Sequence, residues 1–280
     1  MAEGISEGKL LFLLSAVQFI NIVDFMMVLP MGPDFAAGLH ISTARLGLVA
    51  GAYTGAAACA GLLGALFFDR FDRFDRRSAL FVCMTGLVIG TSLGGVAQGL
   101  GTMLLARAVA GGFGGPASAL ALAIIADAIP AQRRGYALGR VAGAFAVASV
   151  VGVPIGLKLA EVGGWRAPFF SIAGLGLIVA LGAITQMPPM RKHLTSPGSR
   201  PVAPRPLTDF VTDTTVLASL ACTAFLMMGT FALISNLSTY LQFNLGYSRS
   251  RLGFLYMVGG LCAFFAMRAA GRFVDQRGCR

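Results

Sequence analysis

The chain has 280 residues, of which 56% are hydrophobic and only 12% are charged. A water-soluble domain carries about a quarter of its residues as charges, so this composition excludes an ordinary soluble fold. The formal net charge of +10 is a feature of many nucleic-acid-binding proteins, but the positions of the basic residues, described below, argue against a nucleic-acid partner.

Apolar segments long enough to cross a bilayer, which takes about 18 residues, recur along the whole sequence. The first, residues 10–33, is interrupted only by Asp24. The uncharged run 78–106 is too long for one helix, and its 98–102 stretch, rich in glycine, predicts a turn between two spans. Eight spans are therefore predicted. The uncharged runs after the first segment are 46–68, 78–106, 108–126, 141–157, 167–190, 214–248 and 252–267.

Lysine and arginine are distributed unevenly between the segments that join these spans. With the N-terminus in the cytoplasm, sixteen of the 22 basic residues lie on that side, five lie on the other, and Arg107 lies within the membrane. This bias orients membrane proteins, so we expect a multi-pass protein of the cell inner membrane with a cytoplasmic N-terminus. Residues 1–9 lack a basic region and a cleavage site, which favours a short cytosolic leader over a signal peptide.

A proline-rich stretch divides the predicted spans into six and two. Residues 187–209 contain half of the 12 prolines together with four basic residues, a composition typical of a linker. We predict a six-helix bundle over residues 1–187, a cytoplasmic linker over 188–209 and two further membrane helices over 210–280. The five cysteines show no paired spacing, so neither a disulfide framework nor a metal site is expected.

The second and fourth spans are rich in small residues. Glycines let helix backbones approach closely in lipid, where packing replaces the hydrophobic drive. We expect these glycines to lie at tight helix contacts, with faces that slide during a transport cycle as the alternative. The residues concerned are Gly51, Gly55, Gly61, Gly111, Gly112, Gly114 and Gly115.

Two charged residues fall within the spans, where each costs about 2.5–3.5 kcal/mol at a helix centre. Asp24 is a candidate for proton coupling or substrate contact, because a carboxyl group in a low-dielectric site can exchange a proton near neutral pH. The alternative is a structural carboxyl hydrogen-bonded to a neighbouring helix, for example through Asn21. Arg107 stays protonated, so it would bias a nearby acid or hold an anionic group. Its alternative is an arginine that reaches the membrane interface.

A motif with a glycine, then an aspartate and clustered arginines, follows both the second and the eighth span. Its recurrence six helices apart indicates an internal repeat. We interpret the two copies as loops whose charged side chains latch onto neighbouring helix ends, with merely solvated charges as the alternative. The candidate gating residues are Asp69, Asp72, Arg73, Arg76, Arg77, Asp127, Gly271 and Asp275.

These motifs, in this order, resemble the major facilitator superfamily, especially its drug-efflux and arabinose-efflux-like branch. The family motif Gly-x-x-x-Asp-Arg-x-Gly-Arg-Arg is similar to the first copy from Asp72 onward, although Asp75 replaces its second glycine. Arg107 and Gly111 resemble the fourth-helix signature. The loop that follows the fourth helix in the family resembles residues 127–135. The antiporter-type motif of the fifth helix is similar to Gly152, Pro154 and Gly156.

The resemblance implies an all-α membrane protein with the major facilitator fold, here a complete N-terminal six-helix bundle and the first two helices of the C-terminal bundle. Because the family has twelve helices, we expect a C-terminally truncated member. It implies a secondary transporter rather than an enzyme, without cofactor or metal, whose partners are protons, a small-molecule substrate and the lipid bilayer. The expected function is proton-coupled efflux of a small amphipathic compound, drug or sugar by alternating access. The alternative is a non-transporting remnant or partner-binding fragment, and the oligomeric state stays open.

Overall fold

The computed structural model describes residues 5–42, 45–66, 75–190 and 213–277. Within these ranges the chain forms eight long helical segments and no strand, as expected. Six of them are long and apolar enough to cross a membrane, and the last two contain shorter apolar stretches. The spans, in order, are Glu7–Met27, Leu46–Leu66, Arg76–Gly95, Leu100–Ala128, the segment from Ala131 to Gly163, Ala167–Gln186, Thr214–Phe243 and Arg249–Arg277.

Several span boundaries differ from the prediction because of local backbone chemistry. The first span ends at Met27, and a turn leads to the short helix Gly32–Gly38. The prolines of the predicted 10–33 segment lack the N–H that a continuing helix requires. The predicted turn at 98–102 is shifted, since the fourth span already begins at Leu100. There the Thr102 hydroxyl accepts hydrogen bonds from the backbone N–H groups of Gln98 and Gly99, at 3.1 and 3.2 Å.

Polar and apolar side chains are placed as lipid requires. Large apolar residues such as Phe12, Ile178 and Phe265 point outward and are about two-thirds exposed, at 65%, 66% and 66%. Asp24 and Arg107 lie inside the bundle, at 0% and 1% exposure. A polar group facing hydrocarbon has no hydrogen-bond partner, so this distribution is the one expected of a multi-pass membrane protein.

Glycines of the fourth span bring it against the second span. A Cβ atom on Gly111 would meet the carbonyl oxygen of Tyr53, and one on Gly115 would lie 2.9 Å from the carbonyl oxygen of Ala57. Gly114 likewise faces the Tyr53 hydroxyl. The predicted tight contacts are thus confirmed at these three glycines. They are wrong at four others, which face open space within the described structure: Gly51, Gly55, Gly61 and Gly112.

The neighbours Gly111 and Gly112 offer a matched test of this packing. Gly111→Ala places its methyl group against backbone that cannot rotate away, so we expect a loss of about 1–3 kcal/mol of stability. Gly112→Ala meets nothing within 4 Å and should leave stability unchanged or slightly raised. Thermal unfolding in detergent compares the two variants, and an equal effect of both would contradict the packing described.

The fifth span is interrupted where its sequence motif lies. It consists of helices Ala131–Ala142 and Ala144–Val147, a π-helical turn Ala148–Gly152 and helix Val153–Gly163. Pro154 cannot donate to the helical ladder, and the preceding N–H, that of Val153, bonds five residues back to Ala148. Single π-helical turns within α-helices frequently lie at functional sites.

This interrupted segment lies between the first and eighth spans. Gly152 packs on Val23, and a Cβ on Gly156 would lie 2.5 Å from the sulfur of Met27. From the other side, Gly260 of the eighth span faces Ser149 and Val150. Gly152 and Gly156 therefore lie against residues that flank Asp24 in the first span, whereas Pro154 lies against Gly253 of the eighth span.

Candidate functional site

Asp24 and Arg107 form an ion pair within the bundle. The Arg107 Nη1 atom donates to both carboxylate oxygens of Asp24, at 3.1 Å to Oδ1 and 3.0 Å to Oδ2. Its Nη2 atom donates to the backbone carbonyl of Asp24 at 3.2 Å. With both side chains almost fully buried, the pair is screened from solvent, and its attraction is stronger than that of a surface pair.

Chain direction explains why these residues meet. The spans alternate in direction, so the last turns of the first and third spans lie at the same end as the first turns of the second and fourth. Asp24 and Thr91 lie about one turn before the ends of the first and third spans, and Tyr53 and Arg107 lie about two turns after the starts of the second and fourth. The Thr91 hydroxyl lies 2.9 Å from Asp24 Oδ1 and 2.8 Å from the carbonyl of Leu87, and it can donate to either.

Tyr53 joins the ion pair to a second polar group. Its ring centroid lies 4.6 Å from the Arg107 guanidinium carbon, a cation–π geometry. Its hydroxyl donates to the side-chain oxygen of Asn21. The Asn21 amide in turn donates to the carbonyl of Gly114 at 2.8 Å and to the Ser118 hydroxyl.

The Ser118 hydroxyl extends this polar group toward the opposite end of the bundle by donating to Gln18 Oε1 at 2.8 Å. Gln18, Asn21 and Asp24 are three residues apart in the first span, so they share one helix face. The result is a strip of connected polar side chains across the first four spans. The three-residue spacing is the sequence signal that could have found this strip, whereas nothing in the sequence singles out Tyr53 or Thr91.

The structural alternatives predicted for the two charged residues have different outcomes. Asp24 is hydrogen-bonded to the third and fourth spans, as its structural alternative expects, but not through Asn21, whose amide is directed to the fourth span. Arg107 points into the bundle rather than toward the interface, with 1% of its surface exposed. The proposed roles of Asp24, Asn21 and Arg107 stay predictions.

The opposite end of the bundle carries the residues predicted to form a gate. Arg76, at the start of the third span, forms an ion pair with Asp127 near the end of the fourth. Arg133, at the start of the fifth span, pairs with Glu7 of the first at 3.1 Å. Asp69, Asp72 and Arg73 lie outside the described residues.

Two parts of the predicted gating loops are helical instead. Gly271 and Asp275 lie in the last turns of the eighth span, which continues to Arg277. A single glycine inside a helix costs only about 1 kcal/mol, too little to end a long apolar helix. Asp127 likewise lies within the fourth span, and residues 131–135 begin the fifth, so the predicted 127–135 loop shrinks to a short turn before Ala131.

Asp75, which the sequence marks only as a departure from the family glycine, ties the third span to the end of the sixth. Its Oδ1 atom accepts the backbone N–H of Met190 at 2.7 Å and that of Arg77 at 3.3 Å. The Arg77 guanidinium donates to the carbonyl of Met187 at 3.1 Å. The segment entering the predicted linker is therefore held by two charged residues that lie two positions apart in the sequence.

The family model of the Major Facilitator Superfamily matches residues 14–280. The chain belongs to the Major Facilitator Superfamily. The chain is 28% identical over 269 residues to a chloramphenicol resistance protein of Streptomyces lividans, covering 95% of this chain and 67% of that protein. It is 28% identical over 216 residues to the inner membrane transport protein YdhP of Escherichia coli K12, covering 76% of this chain and 53% of that protein.

Solved structures of transporters share the fold of this superfamily member. A D-xylose–proton symporter superimposes with a TM-score of 0.69 at 15% identity, covering 96% of this chain and 69% of the symporter. A bacterial homolog of the human lysosomal transporter Spinster, inward-facing and unoccupied, gives 0.72 at 22% identity, covering 98% and 64%. The chain thus spans between about half and two-thirds of the length of these proteins.

These findings confirm the predicted fold and class. The chain has the all-α major facilitator fold, with the six-helix N-terminal bundle followed by two further helices. Its family consists of secondary transporters of small molecules and not of enzymes.

Proposed function

We propose that this chain is part of a proton-coupled exporter of small amphipathic compounds that works by alternating access. Asp24 carries the proton and Arg107 is its electrostatic partner. The observation that supports this proposal is the ion pair itself, which is almost fully buried within the membrane-spanning part of the bundle. A buried pair of this kind contributes little net stability compared with apolar residues of similar volume, so a role in transport is a better reason for its presence.

The chemistry of the pair suits coupling. A proton on Asp24 neutralises the carboxylate and removes the attraction that joins the first span to the fourth. Arg107 cannot release its own proton, so its charge then turns to water until substrate binding displaces the proton from Asp24. Its Nε–H has no hydrogen-bond partner among the described residues, which leaves one donor available for that purpose.

An amphipathic compound is favoured over a sugar as the substrate. A sugar requires many hydrogen-bonding side chains around it, and those buried in the described spans are few, namely Asn21, Asp24, Tyr53, Arg76, Thr91, Arg107 and Ser149. The chloramphenicol resistance protein among the relatives makes chloramphenicol the first compound to test.

The ion pairs at the opposite end suit a cytoplasmic gate. Arg76 joins the third span to the fourth through Asp127, while Asp75 and Arg77 join the third span to the end of the sixth through backbone groups. Asp69, Asp72, Arg73, Gly271 and Asp275 would complete this gate in the cytoplasm-facing loops and helix ends. The interrupted fifth span, with Gly152, Pro154 and Gly156, would act as the pivot between the first and eighth spans.

The proposed arrangement places the protein in the cell inner membrane with its N-terminus in the cytoplasm. The excess of arginine at the ends where the first span begins and the sixth ends supports this orientation. Residues 1–187 would form one bundle, joined through 188–209 to the helices of 210–280.

Transport by the chain itself is tested in proteoliposomes with an imposed pH gradient. We expect uptake of labelled chloramphenicol into vesicles that are acidic inside, and its loss when a protonophore collapses the gradient. Labelled xylose serves as the sugar comparison. Uptake no faster than in protein-free vesicles, with the protein fully inserted, would contradict transport and favour the alternative of a non-transporting membrane protein.

A further inference from the structure

A deep crevice of about 1140 Å³ opens on the outside of the bundle, away from the ion pair. The first, fifth and sixth spans form its walls, and Phe264 of the eighth span contributes to one edge. Its volume exceeds the about 300–1,000 Å³ of ordinary small-ligand pockets. Exposed apolar side chains such as Phe12 and Ile178 surround it, so the crevice opens on an apolar face of the bundle.

The crevice is polar at one end and apolar at the other. The residues near the basic end of the bundle are Tyr136, Arg140 and Gln186. Toward the middle of the membrane the lining is formed by side chains such as Ile20 and Val147. Along the first span the lining extends from residue 12 to residue 20, about 12 Å at 1.5 Å per residue. This depth approaches half of the about 30 Å hydrocarbon core.

Arg140 is the only charged residue of this lining, and no acidic residue accompanies it. Its guanidinium has no ion-pair or hydrogen-bond partner in the part of the chain that the structure describes. A lone cation at the mouth of an apolar crevice complements an amphiphile with an anionic head and a hydrocarbon tail. It repels a cationic amphiphile.

We propose that this crevice binds one anionic phospholipid of the inner leaflet, with its phosphate at Arg140 and an acyl chain along the first and fifth spans. The leaflet assignment rests on the orientation under the proposed function, whereas the binding itself does not depend on transport. Basic pockets between membrane helices on the cytoplasmic side bind anionic head groups in this way.

Native mass spectrometry of the detergent-solubilised chain, titrated with phosphatidylglycerol or phosphatidylcholine, tests the site. We expect wild type to retain phosphatidylglycerol in preference to phosphatidylcholine, and Arg140→Gln to weaken phosphatidylglycerol retention about fivefold. Arg133→Gln is the matched control, because Arg133 lies on the same helix but outside the crevice, with 59% of its side chain exposed. It should retain the preference.

A second variant tests the apolar part of the crevice without disturbing the fold. Gly139 lines the crevice, and a Cβ atom there meets nothing within 4 Å, so Gly139→Leu should fold and occupy the space of the lipid. We expect it to lose retained phosphatidylglycerol at unchanged thermal stability. Equal retention of both lipids by wild type, equal weakening by Arg140→Gln and Arg133→Gln, or displacement of the lipid by chloramphenicol would overturn the proposal. The last result would make the crevice a substrate site. Because this test measures lipid retention, its outcome does not depend on the outcome of the transport assay.

Discussion

Asp24→Asn is expected to abolish the stimulation of chloramphenicol uptake by a pH gradient. Asparagine has nearly the shape of a protonated aspartic acid and can still accept the hydrogen bond from Thr91. It cannot exchange a proton, so the gradient no longer has a group on which to act. The uptake rate should fall to that of wild type measured without a gradient, while movement down a chloramphenicol gradient persists.

A matched control for this variant is Glu161→Gln. Glu161 is also an acidic residue of a membrane span, but it is exposed and pairs with Lys158 three residues away. We expect its gradient-driven uptake to equal that of wild type. Full stimulation of the Asp24→Asn variant would remove Asp24 from the coupling mechanism.

Arg107→Gln is expected to destabilise the protein more than loss of the whole pair does. Removing the arginine leaves a buried carboxylate without its partner, which costs about 3–5 kcal/mol. In the double variant Asp24→Asn, Arg107→Gln no charge is buried, so most of this stability should return. Thermal unfolding in detergent, compared across the two single variants and the double variant, measures the coupling between the residues.

The control for charge removal is Lys158→Gln, since the Lys158 side chain is 74% exposed. Loss of an exposed pair changes stability by about 1 kcal/mol or less. If the effects of the Asp24 and Arg107 variants simply add, the two side chains are not the coupled pair that the geometry indicates.

The sequence predicts the spans and the two buried charges for energetic reasons. A long run of apolar residues has its lowest free energy in the lipid. A charged residue within such a run raises that free energy, so its presence is easily noticed in the sequence. The free-energy cost of a charge in lipid is therefore enough to single out Asp24 and Arg107 in the sequence. Thr91 and Tyr53 are not singled out, because neutral polar side chains carry no such cost. In addition, spans that are apolar nearly all round do not reveal which of their faces is buried.

The helix ends were harder to predict than the spans. The eighth span passes through Gly271 and Asp275 because a glycine and a charged residue do not by themselves end a helix. The contact of Asp75 with Met190 joins residues 115 positions apart, and no local pattern indicates such a partner. Glycine contacts were predicted from composition, but only a helix arrangement separates Gly111, which touches the second span, from Gly112, which does not.

Proton release on substrate binding tests the role of Asp24 most directly. In weakly buffered detergent solution, addition of chloramphenicol to a wild-type sample prepared with Asp24 protonated should release about one proton per protein molecule, because one carboxyl group changes its protonation state. The Asp24→Asn variant should bind chloramphenicol without any release. An equal release from both proteins, or none from wild type that binds the compound, would contradict a mechanism in which this buried carboxyl couples protons to export.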